Sequence, residues 1–143
     1  MPLSFILEMK QHTFRKYERL CNKKHIQYLY TNGEKLLVFP FSVFWCVCGE
    51  GDIPSQAQVI ISVSKKKLKH AVDRNHVKRV IRECYRLHKE ELYTALDING
   101  CKILLAINYV QDKKRNYASM ERKYIKMLKQ LIESINKCQN NEK

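Results

Sequence analysis

Carboxylates are in short supply in this chain: 14 Asp and Glu stand against 27 Lys and Arg, for a formal net charge of +13. The deficit weighs against a self-contained metal-dependent hydrolase, which needs clustered acids. The five histidines, His12, His25, His70, His76 and His88, are too dispersed to supply a paired metal motif. No catalytic residue and no metal ligand is therefore assigned to the protein. Glycine (four) and proline (three) are equally sparse, which leaves little room for flexible linkers, and 45% apolar residues exclude a wholly disordered chain. No apolar run approaches the roughly 18–20 residues of a membrane span. The start, MPLSFILEMKQHTFRKY, has a short apolar patch broken by an acid and no basic leader, a poor signal peptide. A cytoplasmic protein without a membrane partner is expected. The six cysteines are scattered through periodic segments, which fits reduced thiols, and Cys46-x-Cys48 without a second pair is a weak zinc motif.

Present in excess is positive charge, and it is concentrated. The stretch SVSKKKLKHAVDRNHVKRVIRECYRLHK, Ser62 to Lys89, holds ten of the 27 Lys and Arg beside two acids. At 100° per residue, Arg74, Lys78, Arg82 and Arg86 follow one another at steps of four, with Asn75, Arg79 and Lys89 in the same arc. Val77, Val80, Ile81, Cys84 and Leu87 form a separate one. The spacing predicts an amphipathic helix with one side for a core and the other for a polyanion, nucleic acid or an acidic surface.

Length sets a single domain over 1–143. Residues 1–13 carry no clear periodicity and read as an arm or an edge strand; 138–143 are expected to fray. Asn22 as N-cap and Gly33 as C-terminal glycine bracket a first helix with Ile26, Leu29 and Tyr30 on one face. KLLVFPFSVFWCVC is strand-forming, with Pro40 at an edge, bulge or strand boundary. Alternation puts Phe41, Val43, Trp45 and Val47 on one face, and Ser42, Phe44, Cys46 and Cys48 on the other. Gln56 to Ser64 returns as a strand, and the two read as a β-hairpin. After the basic helix and an Asn99–Gly100 turn, CKILLAINYV is a buried central strand. A last helix from about Asn116 to Lys137 carries Tyr117, Met120, Tyr124, Met127, Leu128, Leu131 and Ile135 at helical spacing. The expected fold is α+β, a small mixed four-stranded sheet with helices packed on it in the order α-β-β-β-α-β-α, the basic helix making a βαβ crossover.

The central stretch resembles the signature of the protein subunit of bacterial ribonuclease P, S-x-S-K-K followed by A-V-x-R-N-R-x-K-R-x-x-R-E. Ser62, Ser64, Lys65, Lys66, Ala71, Val72, Arg74, Asn75, Lys78, Arg79, Arg82 and Glu83 are in register. Phe14, Arg15, Lys16, Glu18, Arg19 and Leu20 are similar to the family's N-terminal F-x-K-x-E-R-L, and the resemblance covers about residues 12 to 135. His76 stands where the family has a second arginine, and Ile60 where glycine is common.

The resemblance implies a left-handed crossover, as in a ribosomal-protein-like fold. It also implies an RNA partner that carries the catalysis with Mg²⁺, and precursor tRNA as substrate. Catalytic-RNA contacts would fall on Lys65, Lys66, Lys69, Arg74, Asn75, Lys78, Arg79, Arg82 and Arg86. The single-stranded 5′ leader would lie against Ile26, Tyr30, Phe41 and Phe44, between the first helix and the sheet, where aromatics stack bases without demanding a sequence. A general RNA-binding or ribosomal-type protein is the alternative. A DNA reader is disfavoured, because a strand and a lysine connector, rather than a second helix, precede the basic helix.

Overall fold

The computed structural model describes residues 14–49 and 51–141; the arm expected over 1–13 and the last two residues of the expected frayed tail lie outside them. After a short 3-10 turn, Lys16–Glu18, come α1 (Lys23–Asn32), β1 (Glu34–Val38), β2 (Phe41–Cys48), β3 (Ala57–Val63), α2 (Ala71–Asn99), β4 (Lys102–Tyr109) and α3 (Tyr117–Asn141). The sheet order is β1-β2-β4-β3; β4 runs antiparallel to β2 and parallel to β3. The element order is the one expected, and α2 links the two parallel neighbours β3 and β4. Among the described residues no helix is long and apolar enough to cross a membrane.

The expected hairpin between the second and third strands does not form. Strand β4 is apolar toward both faces, with Ile103 to Ile107 all buried, so it takes the centre and separates β2 from β3. The Gly49–Gln56 connection crosses the end of β4, pinned by buried Ile53 and by Lys102 Nζ donating to the Ile53 carbonyl at 3.3 Å. The hairpin that does form joins β1 and β2 through the Phe39–Pro40 peptide, which is cis.

Each sheet face has its own core. Phe41, Val43 and Trp45 of β2 point with Ile103, Leu105 and Ile107 toward α2 and α3, whereas Phe44 and Cys46 lie on the α1 side with Leu20, Leu29 and Leu104. Val47, which alternation puts on the same face as Phe41, Val43 and Trp45, is exposed. In α2 the buried stripe is Val77, Val80, Ile81, Cys84 and Tyr85; Leu87 is exposed. The helix runs ten residues past Lys89, burying Leu92, Ala95 and Leu96, and stops where Gly100 adopts φ 63°. In α3 the expected stripe is buried except for Tyr117, which is 42% exposed. The helix also continues to Asn141, beyond where fraying was expected, with Cys138 packed against the core.

Gly33 ends α1, but with φ −72° rather than in the left-handed region. Glycine is needed there for space: a Cβ would lie 2.4 Å from the Leu29 carbonyl oxygen and 3.1 Å from that of Trp45. Gly33→Ala is expected to lower the unfolding free energy by about 1–3 kcal/mol, the usual cost of overpacking. Chemical denaturation checks this, and an unchanged midpoint would mean that the α1–β1 junction gives way freely.

Candidate nucleic-acid interface

The lysine connector is a shaped loop. Ser64 Oγ accepts from the Lys66 amide at 3.2 Å, and the Ser64 carbonyl accepts from Leu68 at 3.0 Å. Leu68 is buried as an anchor, and Lys65, Lys66 and Lys69 project into solvent. Arg74, expected as an RNA contact, reaches back. Its Nη1 donates to the Leu68 and Lys69 carbonyls, both at 2.8 Å, so that it braces the connector against the first turn of α2. Asp73 in the same turn pairs with Lys114 at 3.1 Å, tying the helix start to the β4–α3 loop.

Beyond the first turn, Asn75, Arg79 and Arg82 are exposed and Lys78 half-buried. Asn75, Lys78 and Arg82 flank, with Phe14 and Arg19, a shallow groove of about 420 Å³ whose apolar lining includes Leu20 and Val59. Arg79 lines a neighbouring groove of about 450 Å³ that shares Phe14, Arg19 and Arg82 and ends at Arg86. Arg86 is less available than its neighbours, since its Nε donates to Glu83 at 3.1 Å. That bond raises the Arg86 pKa and lowers that of Glu83. Arg19 is the residue that the helical wheel could not supply. It comes from the N-terminal segment, where its guanidinium lies 5.4 Å over the Phe14 ring and Leu20 NH donates to Val59 O at 2.9 Å along the β3 edge. The only sequence signal for it was the N-terminal family segment.

Lys89, read as part of the cationic arc, is not on the surface. It is 4% exposed and its Nζ lies 2.9 and 3.1 Å from the Glu18 carboxylate oxygens, with Glu18 3% exposed. The pair clamps the 3-10 turn, and with it Phe14 and Arg19, against α2.

On the opposite face of the sheet, α1 and the strands form a cleft. Asn22 caps α1 by accepting from the Lys24 and His25 amides, and Leu29 inserts into the sheet, which sets Tyr30 over β2 and β4. Tyr30 packs on Phe44 with ring centroids 5.0 Å apart, and its hydroxyl donates to Asn108 Oδ1 at 2.9 Å. Burial raises its pKa, so the hydroxyl stays protonated at neutral pH. Lys35 Nζ lies 5.9 Å over the other partner, Phe44, and Ile26 lies alongside, half-buried. Phe41 is not part of this cleft. It is fully buried on the far face, against Tyr109 and Tyr124, because strand alternation gives it the parity opposite to Phe44.

Among the described residues no three His, Cys, Asp or Glu come together as a metal site. The Cys46–Cys48 pair offers poor thiolate ligands: burial raises both pKa values, that of Cys48 to about 11.

The geometry has known counterparts. The family model described as Ribonuclease P matches residues 14–132. The ribonuclease P protein component of Porphyromonas gingivalis is 32% identical over 113 residues, 79% of this chain and 82% of that protein. The Chlorobium phaeobacteroides component is 32% identical over 110 residues, 71% of this chain and 75% of that one. Among solved structures, the Staphylococcus aureus RNase P protein superposes with a TM-score of 0.62 at 26% identity, covering 78% of this chain and 93% of that one. The RNase P protein from Thermotoga maritima shares the fold with a TM-score of 0.61 at 19% identity, covering 79% and 96%.

Proposed function

The chain belongs to the ribonuclease P protein family, with a role in tRNA 5′ processing alongside an RNA partner, and we propose that it serves that role through two surfaces. The connector and the α2 groove, with Lys65, Lys66, Lys69, Asn75, Lys78, Arg79 and Arg82, bind the catalytic RNA. The α1 cleft, with Tyr30, Phe44 and Ile26, receives the single-stranded 5′ leader of precursor tRNA. Arg74 holds the connector in shape and Arg86 adds charge at the groove's far end.

The observation that carries this reading is the separation of two kinds of site on one rigid sheet. Exposed arginines line the groove beside β3, and a pair of aromatic rings in contact, tilted at 57°, lies in the cleft on the other face. Arginines meet phosphates through forked, charge-assisted bonds, and each neutralised phosphate adds to salt dependence. Aromatics offer a stacking face to any base. Hydrolysis of the leader bond is carried by the RNA with its Mg²⁺, the protein holding substrate and RNA in register within a cytoplasmic ribonucleoprotein.

The two surfaces make different demands on the ligand. Phe44→Ala or Tyr30→Ala, assembled with the catalytic RNA, is expected to weaken binding of leader-bearing precursor by about 1–3 kcal/mol, the worth of one stacked base, while leaving mature tRNA unaffected. Equal losses for both ligands would assign the two rings to packing and remove the cleft from the proposal.

A further inference from the structure

A second set of cations lies on α3, used neither by the α2 groove nor by the α1 cleft. Seven Lys and Arg but a single acid, Glu121, stand between residues 113 and 129. Arg115, Ser119, Arg122 and Lys126 follow one another at steps of three and four, on the side opposite buried Met120, Tyr124 and Met127. With Lys123 they line a shallow groove of about 360 Å³. Arg115 is held in place: Nε donates to Gln111 Oε1 at 2.6 Å, Nη1 donates to Ser119 Oγ at 3.0 Å, and the guanidinium lies 5.8 Å over the Phe39 ring. Phe39, at the β1–β2 turn, is 52% exposed.

A merely solvated helix face intersperses acids with its bases to gain i,i+4 pairs. Here the stripe meets no acid before Glu133, and among the described residues Arg115, Arg122, Lys123 and Lys126 have no salt-bridge partner. Cations one helical turn apart beside an exposed ring suit a phosphate chain with a base to stack. A membrane-surface helix would need an apolar stripe along its length, and the opposite side of α3 is spent on the core. The location is separate from the site above. Helix α2 packs over β3 and α3 over β1, the two opposite edges of the sheet, about 14 Å apart at the usual strand spacing.

We propose that this groove is a second RNA-binding surface for a single-stranded segment, with phosphates on Arg115, Arg122 and Lys126 and a base on Phe39. It rests on the reading of the chain as an RNA-binding protein and adds a site to it. The test uses the full chain carrying Arg122→Gln with Lys126→Gln, a second variant Phe39→Ala, and Arg79→Ala with Arg82→Ala in parallel. Salt dependence of binding is measured for the catalytic RNA alone and for leader-bearing precursor alone, with hydroxyl-radical footprints of each complex. Losing two phosphate contacts is expected to flatten the slope of log K against log salt by about 1.5. The RNA on which this occurs identifies the source of the segment. Phe39→Ala should weaken binding of the same RNA several-fold with little change in slope, and protection should be lost at nucleotides that the Arg79/Arg82 variant leaves protected. Unchanged slopes on both RNAs for the α3 variant, while the α2 variant responds, would overturn this inference and leave the α2 surface standing. So would coincident footprint losses, or a defect confined to binding phosphatidylserine vesicles. Failure of the unmodified chain to bind either RNA would instead remove the reading on which it rests.

Discussion

Glu18→Ala is expected to destabilise the protein by about 3–5 kcal/mol, the usual cost of leaving a buried charge without its partner. Lys89 is 4% exposed, and both carboxylate oxygens of Glu18 lie within 3.1 Å of its ammonium. Water cannot take the place of the missing carboxylate without opening the contact between the 3-10 turn and α2. The loss should therefore be far larger than for an exposed pair, where about 0–1 kcal/mol is usual. A double variant, Glu18→Leu with Lys89→Met, removes both charges and keeps the volume; it should recover most of the stability. The functional consequence is local to the groove, because Phe14 and Arg19 are held by the same turn: Glu18→Ala should also weaken RNA binding below the melting transition. Equilibrium denaturation of the two variants decides the matter. A single variant within about 1 kcal/mol of the unmodified protein would show that the pair is solvated in practice.

Arg79→Ala combined with Arg82→Ala is expected to give the largest functional effect at little cost in stability. Both side chains are exposed on α2, and neither has a salt-bridge partner among the described residues. Each charge-assisted contact with phosphate is worth roughly 1.5–3 kcal/mol, so that the pair should weaken assembly with the catalytic RNA by about 10²- to 10⁴-fold. The salt slope should flatten by about 1.5 to 2 as two counterion-releasing contacts disappear. Arg74→Ala should behave differently, since it frees the connector by removing two backbone contacts: affinity falls while the slope changes by less than one contact's worth. Binding titrations at several salt concentrations separate these cases. An unchanged slope for the double variant would mean that the two arginines are solvated in the complex as well.

Much of this was legible in the sequence, and most of the misses share a cause. The apolar arc of α2 was readable because Val77, Val80, Ile81 and Cys84 keep helical period over the segment where the helix meets the sheet. A wheel gives a direction, however, and says nothing of what waits there: Lys89 pointed to the cationic side until Glu18, 71 residues earlier, met it. The false hairpin arose because a connection of eight residues can join adjacent strands or step across an intervening one, and local pattern does not distinguish them. The apolar run of β4 signalled a central strand, but its insertion between β2 and β3 is a long-range pairing. Phe41 is a different kind of miss, as the alternation that put Phe44 in the cleft already sent Phe41 to the other face. Gly33 was found for its place at a helix end, whereas its reason, a close approach to the Leu29 and Trp45 carbonyls, exists only in three dimensions. The aromatic pair of the cleft came from the family resemblance, which strand parity then narrows to Phe44, and its bond to Asn108 was out of reach.

The central claim, that this chain acts with a catalytic RNA on precursor tRNA, is tested most directly by cleavage at low Mg²⁺. Precursor tRNA with an intact 5′ leader is incubated with the catalytic RNA at a Mg²⁺ concentration too low for efficient cleavage by the RNA alone, with and without the protein. Release of the leader at the mature 5′ end should rise many-fold on adding the unmodified chain, and much less on adding the Arg79→Ala/Arg82→Ala form at the same concentration. Cleavage that does not respond to the unmodified chain would contradict the claim.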